Sequence, residues 1–262
     1  MASGLNMKRI VLATALVALG SASALAADLP PRSYDKAPAM AAPVTNWSGL
    51  YIGGNVGYGR GAGGSGAVFP PTDFAFQNAS LDTRPKGVVG GGQIGFNWRM
   101  GSLVAGFEAD IQHSGMNGSS QSPLINLDGT SGIGSSISVE HKLSWFGTVR
   151  GRIGVAVTAD LLLYGTSGLA YGDVSASQAA AVVNFATSAN TNQTKTGWTA
   201  GAGAEWMFAH NWSAKVEYLR IDLGGVSTTA LDIGVQNPPI FSIVNTKAQY
   251  DIVRAGVNYH FN

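Results

Sequence analysis

The chain has no cysteine among its 262 residues, so neither disulfides nor thiolate metal sites can be built from it. Charge is also scarce, at 12% of residues against about 25% in a soluble globular domain. The formal net charge of +1 leaves none of the basic stripe that a nucleic-acid partner requires. Beyond residue 30 no long apolar run occurs, so a helical membrane span of about 20 residues is excluded there. What the chain has instead is 36 glycines and 45% hydrophobic residues dispersed in alternation. A wall of strands facing lipid accommodates that mixture, because alternation makes each strand half apolar while mean hydropathy stays near zero.

The first segment sets the compartment. Lys8 and Arg9 form a basic n-region, 10–19 an apolar h-region, and Ala24-Leu25-Ala26 an A-x-A site. This is the pattern of a secretory signal cut after Ala26, and its apolar stretch is too short to span a bilayer. Met7 offers a second start, since residues 1–6 add nothing to the signal. Residues 27–45 are rich in Pro and Ala and read as an extended periplasmic linker. From 46 to 262 the texture is Gly-rich and alternating, one domain.

Eight segments suit strands, at 47–59, 87–99, 103–113, 139–157, 161–172, 195–208, 212–223 and 247–261. Three connections are tight: Met100-Gly101-Ser102, Thr158-Ala159-Asp160 and Ala209-His210-Asn211. The other four, 60–86, 114–138, 173–194 and 224–246, are expected to be long external loops. Short and long connections alternate strictly, as in outer-membrane barrels, and an even strand count leaves both termini in the periplasm. The predicted fold is therefore all-β, an eight-stranded antiparallel transmembrane up-and-down barrel. Period 2 holds strand by strand. Val253, Ala255, Val257, Tyr259 and Phe261 oppose Arg254, Gly256, Asn258 and His260, whereas 161–164 fail to alternate.

Aromatic residues gather at both ends of the apolar faces. Trp98, Trp206, Phe208, Trp212, Tyr259 and Phe261 lie next to tight turns or the C-terminus; Tyr58, Trp145, Trp198 and Tyr218 lie toward the long connections. Two interfacial girdles follow, since amphipathic rings favour the headgroup level. Parity puts Trp47 on the inner side with Tyr51 and Asn55, away from either girdle. The inner face carries Glu108, Asp110, Glu205 and Glu217 against Arg150, Arg152, Lys215 and Arg254, with Arg99 near a turn. An eight-stranded interior is only wide enough for side chains, and buried charges must pair. The expected lumen is plugged by a salt-bridge network; the competing reading is an ion-selective constriction in a pore. Asp251 shares parity with the lipid-facing Val253 but lies at the outer interface, where a carboxylate is tolerated.

Several motifs mislead. Gly90, Gly92 and Gly95 match a dinucleotide fingerprint, but a strand follows where a helix is required. Ser33-Tyr34-Asp35-Lys36 and Lys195-Thr196-Gly197 echo penicillin-recognising enzymes without their S-D-N element. His113, Ser114 and Asp110 cannot share one face of a strand, so no triad forms. His141, His210 and His260 are isolated. The pattern predicts no catalytic residue, no metal site and no cofactor.

The opening Asn46-Trp47-Ser48-Gly49-Leu50-Tyr51-Ile52-Gly53-Gly54-Asn55 and the closing Val253-Arg254-Ala255-Gly256-Val257-Asn258-Tyr259-His260-Phe261 resemble the small outer-membrane barrels of alphaproteobacteria. These are the opacity-type porin family, or outer-membrane immunogenic proteins, and the resemblance covers about 46–262. It implies an eight-stranded barrel, insertion by the barrel-assembly machinery and abundance at the cell surface. Phe261 is similar to the family's C-terminal insertion signal, although Asn262 follows it. The expected partners are outer-membrane lipid, the assembly machinery, and host or small-ligand contacts through loops. Two functions from different classes stand: a structural surface protein supporting the envelope, and a small-solute porin. A haem-binding surface protein, with His113 or His141 as ligand, is third.

Overall fold

The computed structural model describes residues 46–62, 65–68, 79–125, 131–182, 185–231 and 241–261. The expected signal peptide and its site at Ala24 and Ala26 lie outside the described residues, as does the whole of the 27–45 linker. Among the described residues ten strands form: β1 (Gly49–Gly61), β2 (Ser65–Val68), β3 (Ala79–Leu81), β4 (Lys86–Met100), β5 (Leu103–Ile125), β6 (Ser131–Ala156), β7 (Leu161–Val182), β8 (Phe185–Ala209), β9 (Trp212–Leu231) and β10 (Phe241–Phe261). Eight of them close an antiparallel ring in the order β1-β4-β5-β6-β7-β8-β9-β10, with β10 returning onto β1 from Leu50↔Phe261 to Gly61↔Tyr250. Between the tight turns and Trp198, closure leaves no open edge among these eight strands, which an apolar solvent demands.

Alternation divides the ring into two faces. Phe107 and Leu169 point outward and are 62% and 69% exposed, while their neighbours Glu108 and Ala170 are buried. Leaving such side chains in water would forgo about 1.5–3 kcal/mol each, so this face belongs to lipid. The three tight turns form where expected. Gly101 turns with φ +67°, a conformation that favours glycine; Leu161 N donates to Thr158 Oγ1 at 3.1 Å; Asn211 Nδ2 donates to the His260 carbonyl at 2.6 Å.

The four expected long loops are a correction. Strand β5 runs on to Ile125 and β6 starts at Ser131; β7 and β8 continue to Val182 and from Phe185; β9 and β10 to Leu231 and from Phe241. Within 60–86, β2 and β3 form a hairpin that pairs with the loop end of β10, Ile243↔Val68 through Thr246↔Ser65. The reason is that alternation continues after a change of phase. Inward residues of β6 are even-numbered from Phe146 to Gly154 and odd-numbered from Ile137 to Leu143, because a bulge intervenes between Leu143 and Trp145. Gly224, at φ +80°, does the same for β9 between Leu223 and Val226. Small polar residues outside and Ile137, Val139, Val174, Val226 and Val244 inside then extend the hairpins. Strand propensity yields here to pairing and burial.

The interior is stratified. Trp47, Val104, Leu162, Tyr164 and Met207 fill the turn end, which explains why 161–164 break the pattern: Leu162 and Tyr164 both face in. Trp47 is fully buried and its Nε1 donates to the Ala159 carbonyl at 3.0 Å. A polar layer follows. Beyond it Met116, Leu143, Phe146, Leu219, Ile221 and Ile252 form an apolar layer across the ring. Farther out, Ser65 Oγ bonds Thr83 Oγ1 at 2.6 Å and Thr246 Oγ1 at 2.8 Å, tying the β2–β3 hairpin to β10.

His141 lies in the outer part of β6, past Trp145 at the outer girdle, and is 1% exposed. Its Nε2 meets the Tyr250 hydroxyl at 3.0 Å, and burial lowers its pKa to about 4 from the usual 6.5. The unfolded chain therefore takes a proton near pH 6.5 that the folded barrel refuses. Stability from this group is complete above pH 6.5 and declines as pH falls toward 4, by up to about 3 kcal/mol. Amide exchange across 137–143 and 248–252, corrected for intrinsic rates, should show more frequent opening at pH 5 than at pH 7.5. His141→Phe should flatten that dependence; identical corrected exchange at both pH values in the native chain would refute it.

Candidate functional site: a buried charge cluster

Register brings the inner charges together before any side chain bends. Glu108 sits opposite Arg150, Glu205 opposite Lys215, and Glu217 opposite Arg254. Asp110 follows Glu108 by two residues on β5, and Arg152 follows Arg150 by two on β6, so each pair shares the inner face. Every one of these eight side chains is buried.

Longer contacts then cross the lumen. Arg150 Nη1 donates to Glu217 Oε1 at 2.9 Å, spanning β6 to β9, while its Nη2 donates to Glu108 and to Asp110 Oδ2. Arg254 donates through Nε to Glu217 Oε2 at 2.8 Å and through Nη2 to Asp110 Oδ2 at 2.9 Å. Lys215 Nζ straddles the Glu108 carboxylate, 2.9 Å from Oε1 and 2.8 Å from Oε2. Arg152 Nη2 donates to Glu205 Oε2 at 2.7 Å. Four acids meet four bases, so the cluster is formally neutral.

Neutral polar groups complete the layer. The Tyr51 hydroxyl donates to Glu108 Oε2 at 2.7 Å and accepts from Arg152 Nη1 at 3.0 Å. Ser213 Oγ and Asn258 Nδ2 donate to Glu205 Oε1 at 2.6 and 2.7 Å, and Thr148 Oγ1 donates to Asp110 Oδ2 at 2.8 Å. The Arg152 guanidinium lies 4.0 Å from the Tyr164 ring centroid, a cation–π contact. Two glycines make room for these phenols: a Cβ on Gly95 would come within 2.3 Å of the Tyr51 ring, and one on Gly203 within 2.7 Å of Tyr164. Gly95 thus has a packing role in the misleading G-x-G-x-x-G motif. Period 2 puts Tyr51 and Asn258 on the inner face without assigning them to the cluster, and does not single out Tyr164, Ser213 and Thr148. For Tyr51 and Trp47 a signal existed, namely their inner parity in the opening motif.

Trp98, Trp206, Phe208, Trp212 and Phe261 are outward and about half exposed near the turn end, and Tyr259 is half-buried beside them. They touch in sequence, with ring centroids 5.1 Å apart for Trp212–Tyr259 and for Tyr259–Phe261, and 6.1 Å for Trp206–Phe208. Trp206 Nε1 donates to Asp160 Oδ2 at 3.1 Å; that bond and one from Thr158 hold the Asp160 carboxyl below the usual range. Arg99 Nε donates to the Gly101 carbonyl at 2.8 Å, at a turn and away from the cluster. At the other end Asp251 accepts from the Tyr218 hydroxyl at 2.6 Å and pairs with Arg220 at 2.9 Å.

His113 faces out, Ser114 faces in, and Asp110 is engaged by two arginines, so these three do not meet. Among the described residues no three His, Cys, Asp or Glu side chains gather in a way that could hold a metal ion. His141 is sealed in the outer core.

The family model and the sequence relatives agree with this architecture. A family model described as an outer membrane protein beta-barrel domain matches residues 12–261. The 31 kDa outer-membrane immunogenic protein of Brucella melitensis is 38% identical over 97% of this chain and the whole of that protein. The 22 kDa outer membrane protein of Rhizobium leguminosarum is 33% identical over 69% of this chain and 66% of its own length. The 25 kDa outer-membrane immunogenic protein of Brucella abortus is 25% identical over 98% and 99%. Among solved structures, OprG of Pseudomonas aeruginosa aligns with a TM-score of 0.46 at 11% identity, over 81% of this chain and 97% of that one. A closed ring with an apolar outer face and relatives of this kind have one home: the chain belongs to the outer membrane protein β-barrel family and is a protein of the outer membrane.

Proposed function

We propose that this chain is a structural surface barrel: a closed peg through the outer membrane that supports the envelope, presents its outer hairpins to the surroundings and passes no solute. The single observation that carries this reading is the neutral charge cluster spanning the lumen, with each acid bonded to bases from other strands. A selective pore lines its constriction with charge of one sign, facing water. Here acids and bases satisfy one another, and apolar layers containing Trp47 and Leu162 on one side and Leu219 and Ile252 on the other flank them. Insertion by the barrel-assembly machinery, through a last strand ending near Phe261, belongs to the same reading.

Burial makes the cluster costly to break. Taking two charges from water costs several kcal/mol each, which close pairing offsets only while partners are present. Removing one partner strands the others, a loss of about 3–5 kcal/mol. An exposed pair such as Arg84–Asp82, 3.0 Å apart with both side chains about half exposed, contributes under about 1 kcal/mol.

Two measurements test the proposal. In planar bilayers and in liposome-swelling assays the folded barrel should give no steady conductance and no sugar uptake; porin-sized steps from homogeneous protein would defeat it. In urea titrations followed by heat-modifiable migration, Arg150→Met should lose about 3–5 kcal/mol and Arg84→Met under about 1 kcal/mol. Equal, small losses for both would mean that the lumen is wet and the ion pairs are screened.

A further inference from the structure

Beyond the outer girdle the ring parts between two strands. The ladder joining β8 to β9 ends at Trp198↔Asp222, yet β8 runs on along β7 to Val182↔Phe185 and β9 runs on along β10 to Phe241↔Leu231. Gly224, at φ +80°, turns β9 inward just past that point. Val226 then packs with Val174 and Ala176 of β7, and Gln178 Nε2 donates to the Thr228 carbonyl at 3.1 Å. Strand β9 thus lies across β7 and leaves the outer half of β8 overhanging.

Burial follows the same division. Inner-face residues at this height are buried on the neighbouring strands, Val139 on β6, Val174 on β7 and Val244 on β10 among them. On β8, Asn192, Gln193 and Thr194 are exposed in succession, so both faces of the strand meet water. Among the described residues, 190–195 have ladder partners on β7 alone and no backbone bond to any other segment. Asn190 lies about 27 Å along the strand beyond the exposed Trp198, clear of the girdle.

An open ladder edge is a template for another strand, and sheets ordinarily blunt it with short strands, Pro, charge or bulges. The other edges here are blunted in that way. Strand β3 has only 3 residues. The outer end of β5 carries Pro123 and is backed at Gly118 by Thr83, whose carbonyl would lie 2.4 Å from an added Cβ. From Ala186 to Thr194, by contrast, there is no Pro and no charge, and the β7–β8 ladder runs without a bulge.

We propose that the free edge of β8 takes up an extended polypeptide segment of another protein outside the cell, added as a further strand through main-chain hydrogen bonds. The edge presents N–H and C=O groups at a fixed repeat, which a second extended backbone matches and a lipid or sugar does not. Asn190, Asn192 and Thr194 on one face and Thr191 and Gln193 on the other favour uncharged polar or β-branched side chains opposite them. A second copy of this chain fits poorly. Barrels in one membrane stand the same way up, and strands each tilted about 35–45° would cross at about 70–90° when a two-fold axis brings them together. The inference rests on the surface role proposed above and not on the sealed lumen, so a conducting barrel would leave it standing.

The test pans phage-displayed random dodecapeptides on the folded full-length barrel in nanodiscs, against empty nanodiscs. Selected peptides, resynthesised and dye-labelled, are then titrated by fluorescence anisotropy. Asn192→Pro and Gln193→Pro each delete one N–H, and because successive residues point opposite ways, one of the two deletes it from the free edge. That variant should bind the peptides about tenfold more weakly, with heat-modifiable migration unchanged. Methylating the backbone nitrogens of alternate peptide residues should abolish binding in one set and spare it in the other, a signature that side-chain recognition would not give. No enrichment over empty nanodiscs, native-strength binding by both proline variants, or equal tolerance of both methylation sets would each overturn the proposal. Barrel dimers that the same proline dissolves would give the edge to a second copy and overturn it too.

Discussion

Arginine guanidinium inside a ring only eight strands wide is the constraint from which the rest of this molecule follows. Closure is forced by lipid, because an open edge would strand backbone N–H and C=O groups in hydrocarbon. Closing eight strands leaves an interior that side chains must fill. Arg150, Arg152 and Arg254 fill it, and each would be prohibitively costly there alone. Their positions opposite or diagonal to Glu108, Asp110, Glu205 and Glu217 turn that penalty into cross-links between β5, β6, β8, β9 and β10. Apolar layers flank the cluster on either side, and a low local dielectric strengthens buried pairs. Fold and interior electrostatics are thus one problem, solved by ladder register.

Much of this was legible in the sequence because period 2 is a strong signal wherever both solvents are uniform. Through the membrane band, from Val88 to Trp98 and from Val253 to Phe261, alternate positions meet hydrocarbon and a polar lumen, and the two faces separate cleanly. The eight charged positions and the three tight turns follow from that separation. Legibility ended where a solvent changed. At the turn end the lumen becomes apolar, so Leu162 and Leu163 look alike in sequence although one is buried and the other exposed. Beyond the outer girdle the outside becomes water, and Ser, Asn and Gly on that face read as loop. There the bulges before Trp145 and at Gly224 also shift the phase by one, so a pattern extrapolated from the membrane band fails. Parity puts Tyr51 on the inner face, but its bond to Glu108 across 57 residues leaves no local trace.

The two levels of the barrel differ in what holds them together. Within the membrane the ring is β1-β4-β5-β6-β7-β8-β9-β10, and charge pairs lock its interior. Outside, the β2–β3 hairpin continues the sheet from β10, and hydroxyl contacts among Ser65, Thr83 and Thr246 hold it beside a small apolar core of Ala67, Leu81, Leu124, Ile137, Val139 and Val244. The outer level is therefore the part that mild change reaches first, through His141, whereas the inner level responds only when a buried partner is removed. On the proposed function that division suits a surface barrel, whose outer hairpins can vary while the membrane ring stays intact.

Water access to the middle of the lumen decides the matter most directly, and the absence of native cysteine makes it measurable. A single cysteine introduced as Thr148→Cys, at a fully buried position hydrogen-bonded to Asp110, can be challenged from both sides with a small charged thiol reagent. Ser102→Cys, in an exposed turn, serves as the accessible reference. A sealed, self-neutralised interior requires that position 148 stay unlabelled in the folded barrel while position 102 reacts to completion. Comparable labelling at both positions in folded protein would mean an open aqueous path and would contradict the account.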